Sequence, residues 1–195
     1  MNTDSSRETI LARIKAAHPA PVPHPEVKMY RISGDAIENF ETGLRASDGT
    51  MLRFANREAA IEWLGRQIDM NKSTVFSAIP DFKGNISADR LPKPHDAHII
   101  DICVAEGELG VGETGSVWVT DRSLGLTAAA LFSTDLYLVL DSADVVDGIH
   151  EAYRRIALGS RQYGAFYTGP SATADIEAVH ITGAQAAISL TVLLY

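Results

Sequence analysis

Apolar residues recur along the chain in two alternating rhythms, one belonging to helices and one to strands. Ser5-Ser6-Arg7-Glu8 has capping-box spacing and precedes Ile10, Leu11 and Ile14 at helical intervals, which predicts a first helix over about 5–16. His18 to Pro25 reads HPAPVPHP, with proline at every second position, and such a segment is extended because proline cannot continue a helix. The pattern therefore divides into a helix and Pro-rich arm over 1–25 and one α/β domain over 26–195.

Within the domain, Ile37, Phe40 and Leu44 share a helical face, and Met51 to Phe54 form a short strand. Asn56 caps a helix whose inner face is Ala60, Ile61, Leu64 and Ile68. Thr74 to Ile79 is a β-branched strand, and Pro80 to Pro94 is a long loop. His98 to Val104 reads as a strand, Ala105 to Thr114 as a glycine-interrupted helix or turn, and Gly115 to Thr120 as a strand. Leu124 to Phe132 is helical, and Leu136 to Leu140 is a buried strand. Asp141 caps a helix with Val146, Ile149, Tyr153 and Ile156 inside and Gly159 at its end. Tyr163 to Thr168 and Ser189 to Leu194 close the series as strands. Short strands alternating with helices predict a largely parallel sheet covered on both faces.

Composition narrows the function. The 195 residues are 46% hydrophobic and 22% charged, values of an ordinary globular protein. The net charge of −8 resides in the second half, where 98–195 holds 4 basic and 12 acidic residues against 13 and 13 in 1–97. A nucleic-acid binder is not expected with that sign, and no stretch has the length of a membrane span. Cys103 is the single cysteine, so no internal disulfide or self-held iron–sulfur cluster can form, and the chain is expected in the cytoplasm.

Several motifs bear on chemistry. Gly110-Val111-Gly112-Glu113-Thr114-Gly115 matches G-x-G-x-x-G but leads into a strand, whereas a dinucleotide site needs the glycines to open a helix. His95, His98 and Asp101 lack a metal-ligand pattern, so neither metal nor cofactor is expected. Glu113 stands on a turn flanked by glycine, where a carboxylate can accept a proton or attack as a nucleophile; it or Thr114 can equally satisfy loop backbone donors. Thr168-Gly169-Pro170-Ser171-Ala172-Thr173-Ala174-Asp175-Ile176-Glu177 turns sharply after a strand and then sets out hydroxyls and carboxylates at spacing two. Such a turn can cradle a small oxyanion or close on itself through hydroxyl-to-backbone bonds. The candidate site therefore joins Glu113, Thr114, Gly115 and Ser116 to Gly169, Pro170, Ser171, Thr173, Asp175 and Glu177, provided that the two loops meet at one rim of a sheet.

On Glu113-Thr114-Gly115-Ser116, Gly169-Pro170-Ser171, Thr173, Asp175-Ile176-Glu177 and Gly183, the sequence resembles the lactate-utilisation (LUD) domain family of the LutC/YkgG type, over roughly 35–195. The resemblance implies a three-layer α/β/α sandwich of the NagB/RpiA/CoA transferase-like kind, with a mostly parallel sheet. It also implies a part in oxidising L-lactate to pyruvate beside partner proteins that carry the iron–sulfur clusters. The sequence departs from the family pattern in three places. Leu131-Phe132-Ser133-Thr134-Asp135 replaces L-P-x-x-H, Gly183-Ala184-Gln185-Ala186-Ala187 replaces G-x-H-G-P, and Ala172 stands where a basic residue is frequent.

Two functions from different classes follow. One is an accessory or regulatory component of lactate oxidation that binds a small carboxylate or a partner surface. The other is a stand-alone enzyme, acyl- or CoA-transferase-like or sugar-isomerase-like, with Glu113 as its reacting group. A homo-oligomer is compatible with either.

Overall fold

Each strand of the main sheet sends alternate side chains into two different cores, and this decides the architecture. The computed structural model describes residues 3–20, 22–23, 25, 32–157, 159, 163–174, 180–183 and 187–195. They fall into two units, Met1–Tyr30 and Arg31–Tyr195. The first unit carries helix α1 (Thr3–Ala16), which leaves Ile10, Leu11 and Ile14 exposed.

In the second unit five strands run parallel: β1 (Thr50–Arg53), β2 (Val75–Ser77), β3 (Ile102–Glu106), β6 (Asp135–Leu140) and β11 (Ser189–Leu194). Their order is β1-β11-β6-β3-β2, with Ile102, Asp135 and Ser189 in register at the amino ends. Cys103, Ala105, Leu136, Leu138, Leu140, Leu190 and Val192 face one core, while Val104, Val139 and Leu193 face the other. The first core is closed by α2 (Ala36–Ala46) through Phe40 and Leu44, and by α4 (Asp121–Leu124) and α5 (Thr127–Phe132). The second is closed by α3 (Arg57–Gln67) through Ala60 and Leu64. Helices thus cover both faces of a parallel sheet, the layering of an α/β sandwich.

Beside it lies a four-stranded mixed sheet in the order β7-β4-β5-β8, formed by β4 (Leu109–Val111), β5 (Ser116–Thr120), β7 (Val145–Val146) and β8 (Gly164–Tyr167). Strand β5 is buried throughout: Val117 and Val119 join the main core, and Trp118 joins Leu109, Val146 and Ala152 in a smaller one. Ala152 belongs to α6 (Ile149–Arg155). A hairpin of β9 (Ala172–Ala174) and β10 (His180–Thr182) completes the fold.

Several sequence expectations are corrected. The stretch 105–114 holds strand β4, because Leu109 and Val111 pair antiparallel with Trp118 and Ser116 and are buried by doing so. Asp141 caps only a single 3₁₀ turn, Ser142–Asp144. The β-branched Val145 and Val146 then pair with β4, and α6 begins later, behind Gly148. His98 and Ile99 end a 3₁₀ helix, Pro94–Ile99, and β3 starts at Ile102. The helix expected over 124–132 is broken at Gly125, whose φ of 63° no right-handed helix accepts. The β9–β10 hairpin lacks the alternating apolar pattern that would have announced it.

Leu138 is fully buried and pairs with Ala105 on one side and Val192 on the other. Leu138→Ala is expected to lower the unfolding free energy by about 3 kcal/mol through lost transfer energy and the cavity left behind, read from the shift of a urea unfolding midpoint at unchanged slope.

Candidate functional site

The two motif loops are brought together by strand pairing. β5 and β8 run antiparallel with Val117 opposite Tyr167, so the residues just beyond, Ser116 and Thr168, stand opposite each other. Their hydroxyl oxygens are 2.7 Å apart, and the Thr114 hydroxyl lies 2.7 Å from that of Ser116. Ser116 is 5% exposed, so this three-hydroxyl chain runs from an exposed end at Thr114 through the protein to Thr168. Chains of this kind polarise one another and strengthen in a low-dielectric interior.

Both loops also press on α2. Gly115 has φ 69°, and a Cβ on it would lie 1.9 Å from Leu44 N; a Cβ on Gly169 would lie 1.9 Å from Ser47 O. On the helix side, a Cβ on Gly43 would come within 2.7 Å of Gly115 N. Glycine at 43, 115 and 169 is therefore demanded by backbone-to-backbone contact.

Glu113 is exposed, and its Oε2 accepts a hydrogen bond of 2.9 Å from Ile149 N, the first residue of α6. A carboxylate there satisfies one of the orphan N–H groups of a helix start. Past Gly169, the buried Pro170 leads to Ser171, whose N–H donates to Ala187 O at 2.8 Å and whose carbonyl accepts from Gly183 N at 2.6 Å. The Ser171 N–H is thus taken up by the loop itself. Thr173 is exposed on β9 opposite Ile181. Asp175 and Glu177 lie outside the described residues.

A pocket of about 480 Å³ opens under the Gly-Pro turn, lined by Thr168, Gly169, Pro170, Ser171 and Ala172 together with residues of α2, α5 and β6. Glu113, Thr114, Gly115 and Ser116 do not line it; they reach it only through the hydroxyl of Thr168. The pocket lies past the carboxyl end of β8 but beside the amino ends of β6 and β11, through Leu136 and Ala187. Sequence reasoning missed Ala46, Ser47 and Asp48, which complete its rim from the end of α2. In the sequence only Gly49 marks this helix end, with no sign of a pocket; in the structure Asp48 adopts φ 61° there.

The LUD domain family matches residues 82–195, more than half of the chain. The chain belongs to the LUD domain family. A DUF162 family protein from Deinococcus radiodurans, known from a crystal structure at 1.70 Å resolution, superposes with a TM-score of 0.63 at 12% identity, covering 82% of this chain and 95% of that one. That likeness carries the fold. No curated protein matches the chain.

Two positions of this LUD domain that depart from the pattern given above by resemblance, Ala172 and Ala187, line the pocket, as does Leu131, which keeps the leucine of L-P-x-x-H. Cys103 is fully buried, and burial pushes its thiol up to about 12, so no thiolate forms near neutrality. Burial also pushes the Tyr167 hydroxyl up from its ordinary value, with the Tyr163 hydroxyl 3.2 Å away contributing next. Among the described residues no group of three or more His, Cys, Asp or Glu converges as metal ligands, and no helix is long and apolar enough to cross a membrane.

A second concentration of charge, also missed from sequence, lies at the carboxyl ends of the parallel strands of the LUD domain. Arg57 forks onto Asp81 at 2.8 and 3.1 Å and onto Glu106 at 2.6 and 2.9 Å, and donates to the Tyr195 hydroxyl at 3.2 Å. Hydrogen bonds to Glu106 and then to Asp81 hold the guanidinium firmly charged. The partners stand 24, 49 and 138 residues from Arg57, distances that no local motif reveals.

Gly115→Ala forces the Leu44 backbone to move, and a loss of at least about 2 kcal/mol is expected. Gly65→Ala, in helix α3 with open space around its Cβ, should instead stabilise by about 0.5–1 kcal/mol. Parallel thermal melts of the two variants check the contrast.

The hydrogen bond from Arg57 holds the Asp81 carboxyl below its ordinary range. A depressed folded-state value contributes stability that is complete above the unfolded value, near ~3.9, and is lost as pH falls toward the lower folded value. Asp81→Asn should therefore flatten the acid limb of the stability curve below about pH 4 without steepening it elsewhere, as followed by urea midpoints across that range.

Proposed function

We propose that this protein is an accessory component of L-lactate oxidation, working in the cytoplasm beside partner proteins that carry the iron–sulfur clusters, and that it acts through the face around the Gly169–Ser171 turn. Membership of the LUD domain family supports a link to lactate utilisation. The observation that carries the partner-binding form of the reading is the apolar surface next to the pocket. Leu131 and Ala187 line the pocket, and the residues that follow them in the chain, Phe132 and Ile188, are 48% and 56% exposed. Exposed large apolar groups one residue along from the lining of a cavity fit a surface that another molecule covers. A small carboxylate finds less support there, because the residues lining the pocket include no Lys, Arg or His.

The stand-alone acyl-transfer reading asks Glu113 to attack with a carboxylate that is already engaged by Ile149 N, and Glu113 does not line the pocket. The accessory reading makes no such demand on it.

Co-expression with an iron–sulfur protein of a lactate-oxidising system is the direct test. The expected result is co-elution and faster lactate oxidation than with the iron–sulfur protein alone, with both lost in Phe132→Asp and Ile188→Asp while the melting temperature stays within a few degrees of wild type. Separate elution with an unchanged rate would overturn the reading.

A further inference from the structure

No Lys, Arg or His lines the pocket under the Gly-Pro turn, and the segments that supply most of its walls carry no Lys or Arg. No Lys or Arg occurs between Arg122 and Arg154 or after Arg161, so the segments supplying Ala130 to Leu136, Phe166 to Ala172 and Ala187 have no cation of their own. The nearest in sequence to the α2 rim is Arg45, whose guanidinium bonds Glu41 at 2.7 Å. Negative charge, in contrast, is built in. Asp48 lines the pocket, and among the described residues its carboxylate has no ion-pair partner. The rim formed by Ala46 and Ser47 is the carboxyl end of α2, which carries roughly half a negative charge from its aligned peptide dipoles. The N–H of Ser171, the obvious anion donor in the turn, is spent on Ala187 O.

We infer that this pocket binds a small organic cation: a primary ammonium compound bearing a hydroxyl and a short alkyl part. The ammonium lies against Asp48 and the α2 carboxyl end, where both charges favour it. The hydroxyl is met by Thr168, which its hydrogen bond with Ser116 holds in place, and by Ser171. The alkyl part rests on Leu136, Pro170 and Ala187. An exposed carboxylate attracts through water and salt, so binding is modest and weakens as ionic strength rises.

One three-carbon skeleton tests this with three head groups: 1-amino-2-propanol (ammonium), lactamide (neutral) and lactate (carboxylate). Each is titrated into the isotopically labelled protein at low salt and followed by amide chemical shifts. The ammonium compound is expected to saturate in the millimolar range, at least tenfold tighter than lactate, with the largest shifts at Gly169 to Ala172. Asp48→Asn should reduce it to the level of lactamide; asparagine accepts the left-handed backbone at this position, so the fold is kept. Ala172→Arg, at an exposed position on the lining, should reverse the order in favour of lactate. Tighter binding of lactate by the wild type, no saturable shift with the ammonium compound, or an Asp48→Asn variant that binds it unchanged would each overturn the inference. No partner protein is present, so a negative result bears on the pocket and leaves the docking reading to its own test.

Discussion

The contact on which the candidate site depends is between main chains. α2 lies so close to the two motif loops that Gly115 meets the Leu44 amide and Gly169 meets the Ser47 carbonyl, with Gly43 making the same approach from the helix side. Side chains at any of these positions would push the helix outward. The two loops are also stitched to each other by the hydroxyls of Thr114, Ser116 and Thr168. Three segments distant in sequence are thereby fixed at one place, and the pocket is the space left at the open end of that junction. Its rim follows from the packing: the last turn of α2 cannot be elsewhere if Gly169 is to touch it.

This arrangement changes what the motif residues mean. A glutamate followed by Thr-Gly-Ser reads, on paper, either as a reactive group on a turn or as a carboxylate that satisfies loop backbone donors. In the fold, Glu113 accepts from the first N–H of α6, Gly115 admits α2, and Ser116 shares a hydrogen bond with Thr168. Of the described motif residues, Thr168, Gly169, Pro170, Ser171 and Ala172 line the cavity. A specific motif can thus be specific because the backbone geometry permits almost nothing else, as well as because of any chemistry it performs.

The parts legible in the sequence were those whose information is local. Asn56 caps α3, and Phe40 with Leu44 marks the buried face of α2 as its apolar spacing foretold. The buried runs at β6 and β11 stand out because both faces of a parallel strand are covered. What was not legible depends on partners far away in the chain. Leu109-Gly110-Val111 is too short to show a strand rhythm, and becomes a strand only because β5 and β7 flank it. Val146 fits a helical face with Ile149, Tyr153 and Ile156 by spacing, but the pairing of Val145 and Val146 with β4 claims it first. In the site, Gly169 to Ser171 could be named from their turn chemistry, whereas Asp48 and Arg57 could not, since nothing next to either in the chain points to a pocket or an ion network.

The two ends of the parallel sheet show why the pocket is placed where it is. Ligands of open α/β sheets ordinarily settle at the carboxyl ends of the strands. Here that end is heavily committed: Arg57 ties α3 to Asp81 after β2, to Glu106 at the end of β3 and to Tyr195 at the end of β11. A cavity of about 480 Å³ does remain between Ile79, Glu106, Glu108 and Arg122, but Glu106 is held by Arg57 and Glu108 accepts a 2.5 Å hydrogen bond from the buried Thr120. A ligand entering there would compete with bonds already made, and breaking one partner of a partly buried ion pair is costly. The opposite end carries fewer such commitments. Its pocket is walled by hydroxyls, apolar side chains and a single carboxylate, so a ligand can be met without dismantling the network that holds the sheet together.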